Sequence, residues 1–421
     1  MSYIKLLGAG REVGRSAILV EHKGRRVLLD YGVQLTDGKP EYPLHVSPKQ
    51  LDLIALSHAH LDHSGALPLL YTAIRPLLAM NRMTARLTEL LIMDFLRLSK
   101  YYLPYEVIEL ENVLNSYKDV RFGRVYQLGG VEVEFKNAGH VPGSAMIKVR
   151  IEDLEVLYTG DFNTIETRLL RGADVKNVEA DVVIMEGTYA GVNHPNRVDE
   201  EKRFIETINE VVGRGGTVLI PAFSVGRSQE VLCILEHYKV GYRVILDGMA
   251  RRVTQMLLEE GGYVRDISLL SRAARRAQWI SRDKERRKVV KRGECIIVSP
   301  SGMLKGGPSV KYMKKLGKDP KNAILLVSYQ LPGTPGRVLL DTGKFVFDGE
   351  PEEVEARVEY FEFSSHCGHK ELVEFAKQLK NANKLLIVHT EGDAVEKLRE
   401  EIYQETGIET VAPRNGDIVE I

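Results

Sequence analysis

The stretch from Ser57 to Gly65, S-H-A-H-L-D-H-S-G, constrains this chain more than any other. It places His58, His60, Asp62 and His63 within six residues. Alternate side chains on an extended chain point the same way, so His58 and His60 can grip one ion from a strand end. Asp62 and His63 fall on the following turn and can face a second ion. The run Leu51–Leu56 before the cluster reads as a buried strand, and Gly-Ala-Leu-Pro-Leu-Leu after it reads as the start of a helix. A histidine-rich polar surface loop is the plainer interpretation. Histidine and carboxylate at this density are metal-ligand types, which argues against it.

Other strands end in the same chemistry. Residues 26–30 end in Asp30, placed to hydrogen-bond a ligand imidazole. The alternating run Val131–Phe135 is followed by Ala138-Gly-His140, and Leu154–Tyr158 by Thr-Gly-Asp161. Asp181–Met185 leads into Glu186, the alternating run 354–363 into Ser364-Ser-His366, and Lys384–Val388 into His389. Polar residues set repeatedly at strand ends build one site. A carboxylate such as Asp161 is the group best suited to bridge two cations.

A chain of 421 residues predicts two or three domains. Its 58 basic and 58 acidic residues cancel, so a nucleic-acid partner needs a local patch. Residues 271–292 supply one, with ten Arg or Lys against two acidic residues, Trp279 among them. Arg272, Arg275, Arg276, Arg286, Arg287 and Lys288, with Arg337 further on, are the candidate RNA contacts. Three scattered cysteines argue against a disulfide framework and predict the reducing cytoplasm. No leader and no membrane-length apolar run is visible, so no membrane is expected.

Residues 66–118 read as mostly helical, with Leu87, Leu90, Leu91 and Phe95 on one face and Tyr101, Tyr102 and Tyr105 in packing roles. Strand–helix alternation over 190–342 predicts a parallel sheet. From 343 the style of the first region returns. The expected architecture is therefore 1–190 with 343–421 as one domain, and 191–342 inserted into it.

The residues now assembled resemble a known family. His58-x-His60-x-Asp62-His63, His140 and Asp161, with Asp30 ahead, resemble the metallo-β-lactamase signature. Glu186, His366 in Phe-Ser-Ser-His and His389 in Ile-Val-His-Thr-Glu resemble the three motifs of the β-CASP nucleases. Ser301–Pro308 and Gly333–Arg337 resemble that family's inserted domain, and Gly10–Ser16 its archaeal cleavage and polyadenylation specificity factor branch, in a form lacking the KH domains. Cys367-Gly368 and Thr390 depart from the family's usual Ala-Asp and Gly. The resemblance implies an α/β fold: a metallo-β-lactamase αββα sandwich with a β-CASP insert. It implies two Zn²⁺, one held by His58, His60 and His140, the other by Asp62, His63 and His389, with Asp161 bridging. His366 would be the general acid, Glu186 its orienting carboxylate, and Asp62 part of the catalytic set. The implied activity is two-metal hydrolysis of single-stranded RNA to 5′-phosphate and 3′-hydroxyl ends, by endonuclease or 5′-to-3′ exonuclease action. A homodimer and RNA-processing partners are further expectations. The alternatives are an inactive RNA-binding subunit, or a hydrolase of DNA or of a small-molecule ester.

Overall fold

The computed structural model describes residues 2–36, 38–347 and 349–421. They divide into two compact units. The first comprises 1–166, 172–193 and 365–421; the second comprises 167–171 and 194–364.

The first unit is built on two seven-stranded sheets. One runs Ile418–Glu420, Ser2–Gly8, Ala17–His22, Arg25–Leu29, Leu53–Ala55, Leu78–Met80, Tyr117–Asp119. The other runs Glu409–Val411, Lys384–Val388, Val182–Glu186, Leu154–Tyr158, Ala145–Ile151, Val131–Asn137, Val125–Leu128. Alternation within each strand decides which face each residue serves. Ile4, Leu6, Ile18, Val20, Val27 and Leu29 meet Val133, Phe135, Ile147, Val156 and Ile184 in one core between the sheets. The intervening residues face outward and are covered by helices. Leu19, Leu28 and Ile54 pack with Leu67, Tyr71, Ala85 and Val113. Leu157, Val183, Leu385 and Ile387 pack under the helices His369–Gln378 and Ala394–Thr406, through Leu372, Phe375, Leu398 and Ile402. This is the αββα sandwich.

Residues 66–118 contain the helices Arg82–Leu98 and Val107–Ser116 and also the strand Leu78–Met80. Leu87, Leu90 and Phe95 are buried, but Ile92 completes the inner face and Leu91 is only half-buried. Of the three tyrosines, Tyr105 packs inside and donates to Gly65 O, while Tyr102 is 90% exposed.

The second unit holds a six-stranded sheet, Gln278–Ile280, Arg243–Asp247, Cys295–Ser299, Val218–Pro221, Ala323–Leu326, Arg357–Tyr360, with every neighbour parallel. Helices cover both faces, as parallel sheets require. Phe204, Ile208, Val231 and Leu235 pack on one face, and Val289, Tyr312, Met313 and Leu339 on the other.

The expected boundary at 342/343 is corrected here. Arg357–Tyr360 pairs with Ala323–Leu326, so 343–364 belong to the second unit. Residues 167–171 also join it, through Arg168 N and Leu169 N donating to the Glu230 carboxylate. No described helix is long and apolar enough to cross a membrane.

Candidate functional site

In the first unit the chemistry gathers where strands end. Asp30 follows Arg25–Leu29, His58 follows Leu53–Ala55, and His140 follows Val131–Asn137. Asp161 follows Leu154–Tyr158, and His389 follows Lys384–Val388, while Glu186 is itself the last residue of its strand. Asp62 and His63 lie on the short helix Leu61–Ser64. Tight turns make these approaches feasible. A Cβ on Gly32 would stand 1.8 Å from Asp62 O, and one on Gly160, whose φ is +54°, would stand 2.8 Å from Ser57 Cβ. Asp30 and His389 also take positive φ, 59° and 51°, which turns the chain sharply off each strand. The His389 amide is held there by Ala9 O at 2.8 Å.

Two groups of donors result. His58, His60, His140 and Asp161 offer ligand atoms all within 4.8 Å of one another, and so do Asp62, His63 and His389. Asp161 faces both. Its Oδ2 lies 3.6 Å from His58 Nε2 and from His140 Nε2, and its Oδ1 lies 3.3 Å from His63 Nε2 and 3.5 Å from His389 Nδ1. Asp62 Oδ2 is 3.3 Å from His389 Nε2. His60 Nδ1 and His140 Nε2 stand 3.2 Å apart.

Outer contacts aim the imidazoles. His63 Nδ1 donates to Asp30 Oδ2 at 2.7 Å, and His140 Nδ1 donates to Ser365 O at 2.9 Å. His58 Nδ1 lies 3.1 Å from Ser57 Oγ, which donates to Asp30 Oδ2 at 2.7 Å. Each of these three rings therefore turns its Nε2 to the cluster, the atom that the neutral tautomer offers to a cation. His389 repeats the relay on the other sheet: its Nδ1 is 3.1 Å from Thr188 Oγ1, which donates to Glu186 Oε2. Asp30 also accepts from Ser57 N and Tyr158 OH.

Two buried atoms here, His58 Nε2 and Asp161 Oδ1, have no hydrogen-bond partner. Orphaned polar atoms are costly in an interior, and both are ligand atoms. Nitrogen-rich donors with a shared carboxylate and the unpaired atoms fit divalent cations of the zinc type. Burial pushes His58 and His140 well below the usual imidazole range, so both are neutral and able to ligate. Burial disfavours charge on Asp62 and Asp161 too. Neighbouring imidazoles (His389 and His63) outweigh it and hold both carboxyls below the usual range.

Beside the cluster, His366 Nδ1 lies 3.0 Å from each Glu186 oxygen, and its ring centroid is 4.4 Å from that of His140. Burial alone would lower the His366 pKa. The Glu186 carboxylate outweighs burial and raises it to about 9. Glu186 also lies within ligand range of Asp161 and His389. Its oxygens are already taken by His366, the Phe162 amide at 2.8 Å and the Thr188 hydroxyl.

The second unit separates the basic candidates. Arg272 and Arg276 pair with Glu236, and Arg337 with Asp341. Arg286 is corrected to a structural role: its guanidinium makes a bidentate pair with the fully buried Asp247, at 2.6 and 2.9 Å. Arg275, Arg287 and Lys288 are exposed. Trp279 is packed, its Nε1 donating to Ala274 O. Sequence reasoning missed Ser57, Tyr158 and Thr188, which are ordinary residues until their carboxylate partners are seen.

A sandwich with paired histidine–aspartate donors at its strand ends defines a metallo-hydrolase. Residues 10–199 match the metallo-beta-lactamase superfamily, 228–339 the Beta-Casp domain, and 351–413 the Zn-dependent metallo-hydrolase RNA specificity domain. The chain is 40% identical to RNase aCSPSF2 of Saccharolobus solfataricus, over 100% of this chain and 85% of that one. It is 35% identical to Probable RNase MJ4 of Methanocaldococcus jannaschii, over 98% and 99%. It is 30% identical to Cleavage and polyadenylation specificity factor 73 of Drosophila melanogaster, over 99% of this chain and 65% of that one. The chain belongs to the β-CASP family of the metallo-β-lactamase superfamily. A protein of unknown function from Enterococcus faecalis V583 shares the fold, with a TM-score of 0.63 at 15% identity over 100% of both chains.

Proposed function

We propose that this chain is a metal-dependent ribonuclease hydrolysing phosphodiester bonds of single-stranded RNA to 5′-phosphate and 3′-hydroxyl ends. The observation that carries the reading is the single carboxylate, Asp161, facing two donor groups with the His366–Glu186 pair beside them. The names of the relatives and the match of 351–413 to an RNA specificity domain support RNA as the substrate.

His58, His60 and His140 would hold one zinc ion and Asp62, His63 and His389 another, with Asp161 shared. When bound, two such ions supply a water nucleophile at neutral pH and neutralise charge developing on the phosphoryl oxygens. His366 delivers its Nε2 proton to the departing 3′ oxygen as the P–O bond breaks. Glu186 fixes the ring by its Nδ1 and stabilises the cation before transfer. Asp30 holds His63 and, through Ser57, His58 in their tautomers. The two compact units are read as the metallo-β-lactamase domain and the inserted β-CASP domain.

The test is a time course on 5′-end-labelled single-stranded RNA carrying a 5′ monophosphate, with zinc-loaded protein and His366→Ala beside it. Immediate labelled mononucleotide means 5′-to-3′ exonuclease action, and a ladder from the first time point means internal cleavage. RNA retained but uncut by the metal-loaded protein would replace the enzyme by a binding subunit.

A further inference from the structure

The helix Asp283–Arg292 in the second unit gathers four cations on one face. Lys284, Arg287, Lys288 and Lys291 occupy positions i, i+3, i+4 and i+7, and all four are exposed. The opposite side is fixed to the unit by buried Val289 and by the Arg286–Asp247 pair.

Several cations on other helices are neutralised within a turn: Lys202 by Asp199, Arg203 by Glu200, Lys377 by Glu374, Arg399 by Glu396. None of the four on this face pairs with a carboxylate among the described residues. The helix's own acids are engaged elsewhere. Asp283 binds Arg286 and Lys311, and Glu285 accepts from Ser281 N and Arg282 N. Lys284 repels Arg287 and Lys288, and Lys291 repels the same two, at the spacings where like charges destabilise a helix. Lys284 also sits in the first turn, where the helix dipole disfavours a cation. Such a face is unfavourable for the free protein and is relieved by an anion that spans it.

We propose that this face is a docking track for the phosphate backbone of single-stranded RNA. The choice of RNA rests on the ribonuclease reading above. An acidic protein fits less well: protein interfaces centre on apolar and aromatic side chains, and no exposed large apolar residue lies between 281 and 294 among the described residues. From Lys284 to Lys291 the helix rises about 10 Å, enough for the four side chains to reach successive phosphates of an extended strand. Backbone contact carries no base information, so the track serves RNA of any sequence.

The experiment compares the full-length zinc-loaded protein with K284Q/R287Q/K288Q/K291Q, by fluorescence anisotropy on a 20-nucleotide oligouridylate over a range of salt. Four lost phosphate contacts make the slope of log K against log salt shallower by about 3, with binding roughly tenfold or more weaker at low salt. Lys202→Gln and Lys377→Gln, on exposed lysines with acidic partners, leave the slope unchanged. The quadruple variant keeps or raises its thermal midpoint, because repulsion is removed. If it folds poorly, Lys284→Gln and Lys288→Gln separately each flatten the slope by about 0.7. An unchanged slope overturns the proposal, as does wild-type protein that binds polyglutamate and not RNA. RNA bound but never cut would sink the ribonuclease reading alone, and the slope would still decide the track.

Discussion

Glu186 meets His366 with both carboxylate oxygens 3.0 Å from its Nδ1, and the sign of that interaction can be worked out. The His366 pKa lies above its ordinary value because the Glu186 carboxylate outweighs burial, at about 9. A raised pKa means the cation is favoured in the fold. Its contribution to stability is complete below the ordinary imidazole range and is lost as pH rises through about 9. Activity that needs the protonated ring falls over the same limb, and earlier with cations bound, since they disfavour a further positive charge. Glu186→Gln should move that limb of the kcat profile to lower pH. His366→Ala should cost about 10²–10⁴-fold in kcat while metal content, read by atomic emission, stays level. Thr188→Val removes the hydroxyl linking His389 to Glu186. It should weaken metal retention about 10–100-fold, measured by chelator competition. Some of this site was legible in the chain. His58 to His63 stand out because ligand types crowd into six residues. Thr188 and Ser57 do not stand out, because a hydroxyl relay has no composition of its own.

At the scale of elements, strand periodicity told which residues face a core but not which sheet a strand joins. Val354–Phe363 alternates well enough to fit either sheet, and the parallel pairing of Arg357–Tyr360 with Ala323–Leu326 decides it. The basic run shows the complementary limit. Counting charges along 271–292 cannot reveal that Asp247, far off in sequence, claims Arg286. Arg286→Ala leaves that carboxylate buried and unpaired, so it should cost about 3–5 kcal/mol. Arg287→Ala, one residue on and exposed, should change stability by less than about 0.5 kcal/mol. Urea unfolding of the two variants checks the contrast.

For the molecule as a whole, the donors all lie in the first unit, so metal should act on that unit's stability. A ligand that binds only the folded state raises its midpoint by mass action. Chelation should lower the transition of the first unit and leave that of the second in place, resolved as two peaks by calorimetry; a uniform shift would contradict this. The chain leaves the first unit after Asn193 and returns at Ser365. His58, His60, His140 and Asp161 precede that excursion, and His366 and His389 follow it. The strand Lys384–Val388 lies against Val182–Glu186, so its arrival brings His389 to the donors already made, before Glu409–Val411 closes the sheet's edge. Synthesis from the N-terminus therefore yields His366 and His389 after all the other candidate donors. On the proposed roles, a chain stopped before His366 should hold a cation at His58, His60 and His140 yet leave RNA uncut, which metal analysis and the labelled-RNA time course together check.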